Sequence, residues 1–154
     1  MKKWIAALLS ASCFLLLPGT AFAAETKAPG TTAKAYILIE AGTGRTLAAQ
    51  NEREKLPIAS TTKILTALLA LEQPELDQKF QVDSLAIRTE GSTMGLREGD
   101  FASLRDLAAG MLLPSGNDAA NAAAVRIDGS IEEFAQRMNR KAEEIGMADS
   151  HFVT

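Results

Sequence analysis

Only two short segments of this chain read as β-strands, and they are consecutive. Residues 35–39 (Ala-Tyr-Ile-Leu-Ile) form an apolar run of strand length that predicts a buried strand. Ala41-Gly42-Thr43-Gly44 is a turn, and residues 45–49 return as a partner strand. A single hairpin is marginal in water and leaves both of its edges unpaired. Such a chain does not build a balanced α/β sheet from its own strands. The hairpin is expected to need further strands, or another chain, along its edges.

The remaining periodic sequence is helical, in four segments. Pro57-Ile58-Ala59 leads into a helix that starts near Ser60 and ends before Pro74, with Ile64, Leu65, Leu68 and Leu69 on one broad apolar face. Ser103 and Asp106 form an N-cap pair ahead of Leu104, Leu107, Met111 and Leu112, and Pro114 stops that helix. Asn117 or Asp118 is expected to cap an alanine-rich helix running to Arg126. Ser130 and Glu133 form a capping box for a helix over 131–145, in which Ile131, Phe134, Ala135, Met138, Ala142 and Ile145 keep helical spacing. Gly146 is a natural left-handed stop. Residues 83–100 contain glycines and little periodicity.

The 154 residues suffice for one domain with a real core, and the net charge of −3 with no long basic run argues against a nucleic-acid partner. Lys2 and Lys3 precede an apolar stretch over residues 5–17, which Pro18-Gly19 breaks ahead of Ala21-Phe22-Ala23. This is the pattern of a secretory signal peptide over 1–23. The rival, an uncleaved membrane anchor, is disfavoured because the apolar stretch is too short to span a bilayer comfortably. Removing Lys2 and Lys3 takes the charge from −3 to −5. Residues 24–33 then read as a flexible leader and 34–154 as the folded part. Cys13, the only cysteine, lies inside the apolar stretch, with Leu9 one residue too far upstream for a lipobox. The exported chain is therefore expected to carry no disulfide and no cysteine metal site. Its expected location is extracytoplasmic, in the cell envelope or periplasm or at the outer face of the cytoplasmic membrane.

Two motifs carry chemistry. Ser60-Thr61-Thr62-Lys63 places a hydroxyl and an amine one helical turn apart on a shared face. A serine hydroxyl is a weak nucleophile until a base takes its proton, and a lysine is such a base only when burial or a helix N-terminus disfavours its charged form. The ordinary alternative is an N-cap serine followed by a solvated lysine. Ser115-Gly116-Asn117 offers a second hydroxyl and a carboxamide, with glycine for a tight turn; its ordinary alternative is a turn between two helices. The two motifs are two of three elements of a serine acyltransferase that uses lysine as base. The third, Lys-Thr-Gly, is absent: Thr43-Gly44 follows Gly42 rather than a cation. His151, the only histidine, sits in no triad-like motif and is assigned a packing or capping role. Asp77, Asp83, Glu90, Glu98 and Asp100 read as solvated surface. Arg137, Arg140 and Lys141 read as surface partners of Glu133 and Glu144.

The order, spacing and flanks of these motifs resemble the serine D-alanyl-D-alanine carboxypeptidases, the low-molecular-weight penicillin-binding proteins of peptidase family S11. The matching stretches are Ala59-Ser60-Thr61-Thr62-Lys63-Ile64-Leu65-Thr66-Ala67, then Gly91-Ser92-Thr93-Met94, then Leu113-Pro114-Ser115-Gly116-Asn117-Asp118-Ala119-Ala120-Asn121. Gly146-Met147 with Ser150-His151-Phe152-Val153 and the hairpin also fit. The resemblance implies an α+β fold of the β-lactamase/D,D-peptidase type, present as its N-terminal portion: hairpin and helical subdomain without the later sheet strands. It implies Ser60 as the acylated nucleophile, Lys63 as its general base, Ser115 as proton shuttle and Asn117 as the group that binds the substrate amide. The implied substrate is a peptidoglycan stem peptide ending in D-Ala-D-Ala, with β-lactam antibiotics as covalent inhibitors. No metal or organic cofactor is implied, and membrane association only through a C-terminal anchor outside these residues. The family's Lys-Thr-Gly strand lies far downstream, so the isolated chain is expected to be inactive. Gly95 stands where relatives often carry an aromatic residue. Two other readings are a non-catalytic exported fragment or pseudoenzyme, and a class A β-lactamase-like hydrolase. The latter is weakened because residues 146–154, where its glutamate would stand, contain none.

Overall fold

The computed structural model describes residues 30–153. The expected signal peptide, and the leader up to residue 29, lie outside the described residues. The chain divides into two units, Met1–Lys55 and Leu56–Thr154.

The first unit holds the expected hairpin, β1 (Tyr36–Ile39) and β2 (Thr46–Gln50), paired antiparallel with Tyr36 opposite Gln50 and a bulge between Leu38 and Ile39. Glu40 organises its turn. The Glu40 carboxylate accepts from the Gly42 N–H at 2.7 Å, from the Thr43 N–H at 2.8 Å and from the Thr43 hydroxyl. The prediction of a buried strand fails: Ile37, Leu38 and Ile39 are 56%, 49% and 54% exposed. Alternate side chains of a strand point to opposite faces, so β1 carries exposed apolar side chains on both of its faces.

The second unit is a four-helix assembly. A 3-10 turn, Ala59–Thr61, runs into α1 (Thr62–Leu71); α2 is Leu104–Leu112, α3 Asn117–Asp128 and α4 Ile131–Glu144. Two-residue strands, β3 (Phe80–Gln81) and β4 (Phe101–Ala102), pair across the irregular stretch between α1 and α2. The helix starts follow local chemistry. Ser103 and Asp106 form the full reciprocal capping box of α2. At α4 only the serine half of the expected box is present, Ser130 Oγ accepting from the Glu133 N–H at 3.1 Å. Gly129 and Gly146 follow α3 and α4 in left-handed conformation, with φ of 82° and 83°.

The apolar face of α1 differs from the predicted one. Leu65 and Leu69 are buried, but Ile64 and Leu68 are exposed, and the other buried positions are Lys63, Thr66, Ala67 and Ala70. The reason lies in the neighbours. Ala67 and Ala70 pack with Leu107, Ala108 and Met111 of α2 and with Ala119, Ala122 and Ala123 of α3. Methyl side chains let these helices approach closely. Leu65 and Leu69 pack on the other side with Ala124, Phe134, Met138, Ala142 and Phe152. Lys63 is one and two turns from Ala67 and Ala70, so the tight helix packing carries it inward. Charge pairing also departs from expectation at one position. Arg137 pairs not with Glu133 but with Asp128, its Nε donating at 2.7 Å, whereas Lys141 does pair with Glu144, and with Glu72 as well.

Candidate active site

The two motifs meet between α1 and the turn ahead of α3. Lys63 is 8% exposed, and its Nζ donates to Ser60 Oγ at 3.4 Å and to Ser115 Oγ at 3.2 Å. Both partners are neutral hydroxyls, and no ion pair to Lys63 occurs among the described residues. A solvated surface lysine, the ordinary alternative, is thereby excluded. Ser60 lies in the exposed 3-10 turn rather than in α1 itself. At this position the first backbone N–H groups of the helix lack intrahelical partners.

Backbone strain brackets the amine. Ala59, immediately before Ser60, has φ of 45°, and Ser115 has φ of 59°. Residues with a Cβ rarely occupy this region, at a cost of order 1–3 kcal/mol, and such strain concentrates at functional sites. Gly116, by contrast, has an ordinary φ of −63° and ψ of 120°. Its glycine is demanded by space, not by turn geometry. A Cβ there would lie 2.8 Å from Asp118 Oδ1, 2.8 Å from Met94 N and 3.0 Å from Gly110 O. Gly116 is the N-cap of α3, so Asn117 and Asp118 stand inside its first turn and neither is the cap.

Asn117 is held by the irregular loop that precedes β4. Its Nδ2 donates to Glu90 O at 2.7 Å, and its backbone N–H donates to Ser92 O at 2.8 Å. Asp118, 1% exposed, is a site residue that motif reading passed over as a helix cap. Burial pushes its carboxyl pKa up, but N–H bonds from Met94, Leu96, Ala119 and Gly95 outweigh that and hold it below the usual carboxylate range. The available signal was an acid in the first turn of a helix that directly follows the motif.

Ser60, Lys63, Asn117 and Asn121 open onto one cleft of about 350 Å³, whose far wall includes Phe134 and Met138 of α4. The N-termini of α1 and α3 both border it, an arrangement that favours negative charge. His151 is exposed and does not line the cleft. No group of three His, Cys, Asp or Glu side chains among the described residues could hold a metal ion.

A lysine amine between two serine hydroxyls, beside an asparagine at a helix start, narrows the field of relatives. Residues 22–154 match the family model described as D-alanyl-D-alanine carboxypeptidase. The chain belongs to the D-alanyl-D-alanine carboxypeptidase family. It is 35% identical over 161 residues to the D-alanyl-D-alanine carboxypeptidase DacF of Bacillus subtilis, with 99% of this chain and 41% of the relative covered. It is 37% identical over 158 residues to DacC of Escherichia coli, with 94% and 39% covered. The crystal structure of penicillin binding protein 6B from Escherichia coli superposes with a TM-score of 0.74 at 34% identity, covering 82% of this chain and 43% of that one. The hairpin and helical unit are thus a partial carboxypeptidase-family fold, as the sequence implied, and the chain spans about two-fifths of the length of these relatives.

Proposed function

We propose that the protein is a serine-type D-alanyl-D-alanine carboxypeptidase that acts on peptidoglycan stem peptides through an acyl-enzyme on Ser60. The observation that carries this reading is the buried Lys63 amine within reach of both hydroxyls, with no ion pair to it among the described residues. In its neutral form the amine takes the Ser60 proton as Oγ attacks the carbonyl carbon of the penultimate D-alanine. The negative charge that develops on the carbonyl oxygen forms beside two helix N-termini. Collapse breaks the C–N bond, and Ser115 passes the proton from Lys63 to the departing D-alanine amine. Water then adds to the Ser60 ester and gives a proton to Lys63, which returns it to Ser60 Oγ as the ester C–O bond breaks and the shortened peptide leaves. The Asn117 carboxamide holds the substrate's peptide amide. β-Lactams acylate the same oxygen by ring opening.

Export by residues 1–23 places this activity outside the cytoplasm; a mature N-terminus at Ala24, read by mass spectrometry, checks that cleavage. Residues 1–154 contain no Lys-Thr-Gly. The second reading, a non-catalytic fragment, therefore applies to these residues in isolation. Fluorescent penicillin separates the two. The full-length protein, including any sequence beyond residue 154, is expected to be labelled, and Ser60→Ala to abolish the label, while residues 1–154 alone stay unlabelled. An unlabelled full-length protein, or a label that survives Ser60→Ala, overturns the carboxypeptidase reading.

A further inference from the structure

Asp118 is the unusual group near the cleft. Full burial of a carboxylate is costly unless hydrogen bonds replace water. Among the described residues no cation pairs with it; backbone dipoles compensate it. Oδ1 accepts from the N–H of Met94 and of Ala119, each at 2.9 Å, and Oδ2 accepts from the N–H of Gly95 and of Leu96, each at 3.0 Å. Three of these four donors belong to the irregular loop, not to α3, in whose first turn Asp118 stands. Among the described residues, every hydrogen bond that links residues 90–96 to another part of the chain ends on Asn117 or Asp118: the three above, Asn117 N–H to Ser92 O, and Asn117 Nδ2 to Glu90 O.

The loop has no regular structure, and Gly91 and Gly95 hold φ of 82° and 90°. Three of the five bonds that tether it end on Asp118. The Asn117 carboxamide in turn rests on the loop, because its Nδ2 is committed to Glu90 O. A carboxamide torsion is otherwise broad and nearly two-fold, so an untethered Asn117 presents either pole to a ligand. The fit allows little slack: a Cβ on Gly91 would lie 3.2 Å from Asn117 Nδ2.

We propose that Asp118 is a positioning residue that fixes the polarity of the Asn117 carboxamide by holding the 90–96 loop against the turn ahead of α3. The proposal rests on the carboxypeptidase reading. Its test is the rate constant of Ser60 acylation by fluorescent penicillin in the full-length protein, measured well below the melting temperature on variants shown folded by circular dichroism. Asp118→Asn puts an NH₂ against backbone donors and frees the loop. Acylation is expected to fall on the order of 10²-fold, the scale of a misplaced binding group. In an Asn117→Ala background the same change is expected to cost less than about threefold, since Asp118 acts through Asn117. Gly91→Ala, which leaves Asp118 in place but strains the loop at φ of 82° and presses on the carboxamide, is expected to show the same background dependence, and it carries the test if Asp118→Asn does not fold. A purely structural Asp118 would lower the melting temperature and leave the cycle additive. Equal losses in both backgrounds, or wild-type rates in the folded variants, overturn the proposal. An unlabelled wild type, or a label that survives Ser60→Ala, overturns the carboxypeptidase reading instead.

Discussion

Gly116→Ala separates two reasons for a glycine in the Ser115-Gly116-Asn117 turn. If backbone freedom were the reason, φ of −63° and ψ of 120° would cost alanine nothing, and reduced freedom in the unfolded chain would raise stability by about 0.4–1 kcal/mol. The contacts predict the opposite sign. The added methyl meets Asp118 Oδ1 and Met94 N at 2.8 Å and Gly110 O at 3.0 Å. Two of these are backbone atoms that no rotamer change can move. Overpacking of this kind costs about 1–3 kcal/mol, and weakening the charge-assisted bond between Met94 N–H and Asp118 adds about 1.5–3 kcal/mol. After the unfolded-state gain of about 0.4–1 kcal/mol is subtracted, the expected net loss is about 1.5–5.5 kcal/mol, a large share of a typical domain's stability. Urea unfolding followed by circular dichroism should show a midpoint lowered by about 1–3 M with an unchanged slope. Gly129→Ala is the matched control, with φ of 82° and nothing within 4 Å of the added Cβ. It should lose only about 1 kcal/mol, the cost of left-handed backbone alone. A Gly116→Ala protein at or above wild-type stability would refute the packing argument.

Three further outcomes are expected. Ser115→Gly relieves the left-handed strain at φ of 59° but removes the second hydroxyl from Lys63; stability should stay within about 1 kcal/mol of wild type while penicillin acylation falls on the order of 10²-fold. Lys63→Ala in the full-length protein should abolish acylation near neutral pH, and retained labelling would remove Lys63 as the base. The depressed pKa of Asp118 sets an acid limb: its contribution is present above the ordinary carboxylate pKa near about 4 and is lost as pH falls through the lower folded value. Unfolding curves at descending pH should therefore steepen in loss below about pH 4. The limb should be shallower in Asp118→Asn but not gone, because the Arg105 bond to Asp77 and the Ser103 backbone bond to Asp106 lower those carboxyls too.

The elements legible in the sequence are those written in local chemistry. Ser103 and Asp106 announce α2 because the capping box lies within four residues, and Gly146 announces the end of α4. Ser60, Lys63 and Ser115 are legible as candidates because one pair is a helical turn apart and the other hydroxyl sits in a proline-glycine turn. What escaped is non-local. Nothing in the spacing of Ile64, Leu65, Leu68 and Leu69 says that alanines across three helices will draw the Lys63 side inward and leave Ile64 outside. The β3–β4 pair is two residues long, too short to leave a period. Asp118 bonds to backbone groups 22–24 residues away, and backbone donors have no side-chain identity to read. The burial predicted for residues 35–39 followed composition, whereas burial requires a covering layer.

The alanines of α3 also make the site a sensitive gauge of helix spacing. Ala119, Ala122 and Ala123 pack α3 against α1 and α2 through side chains no larger than a methyl group. Lys63 rides on α1 and Ser115 on the turn that opens α3, so the gap between them is a spacer measured in methyl groups. Valine at one of these positions would act as a shim, widening that gap from behind while every cleft-lining side chain kept its identity. Inherited variation in the reactivity of such a protein can therefore arise in its least conspicuous residues.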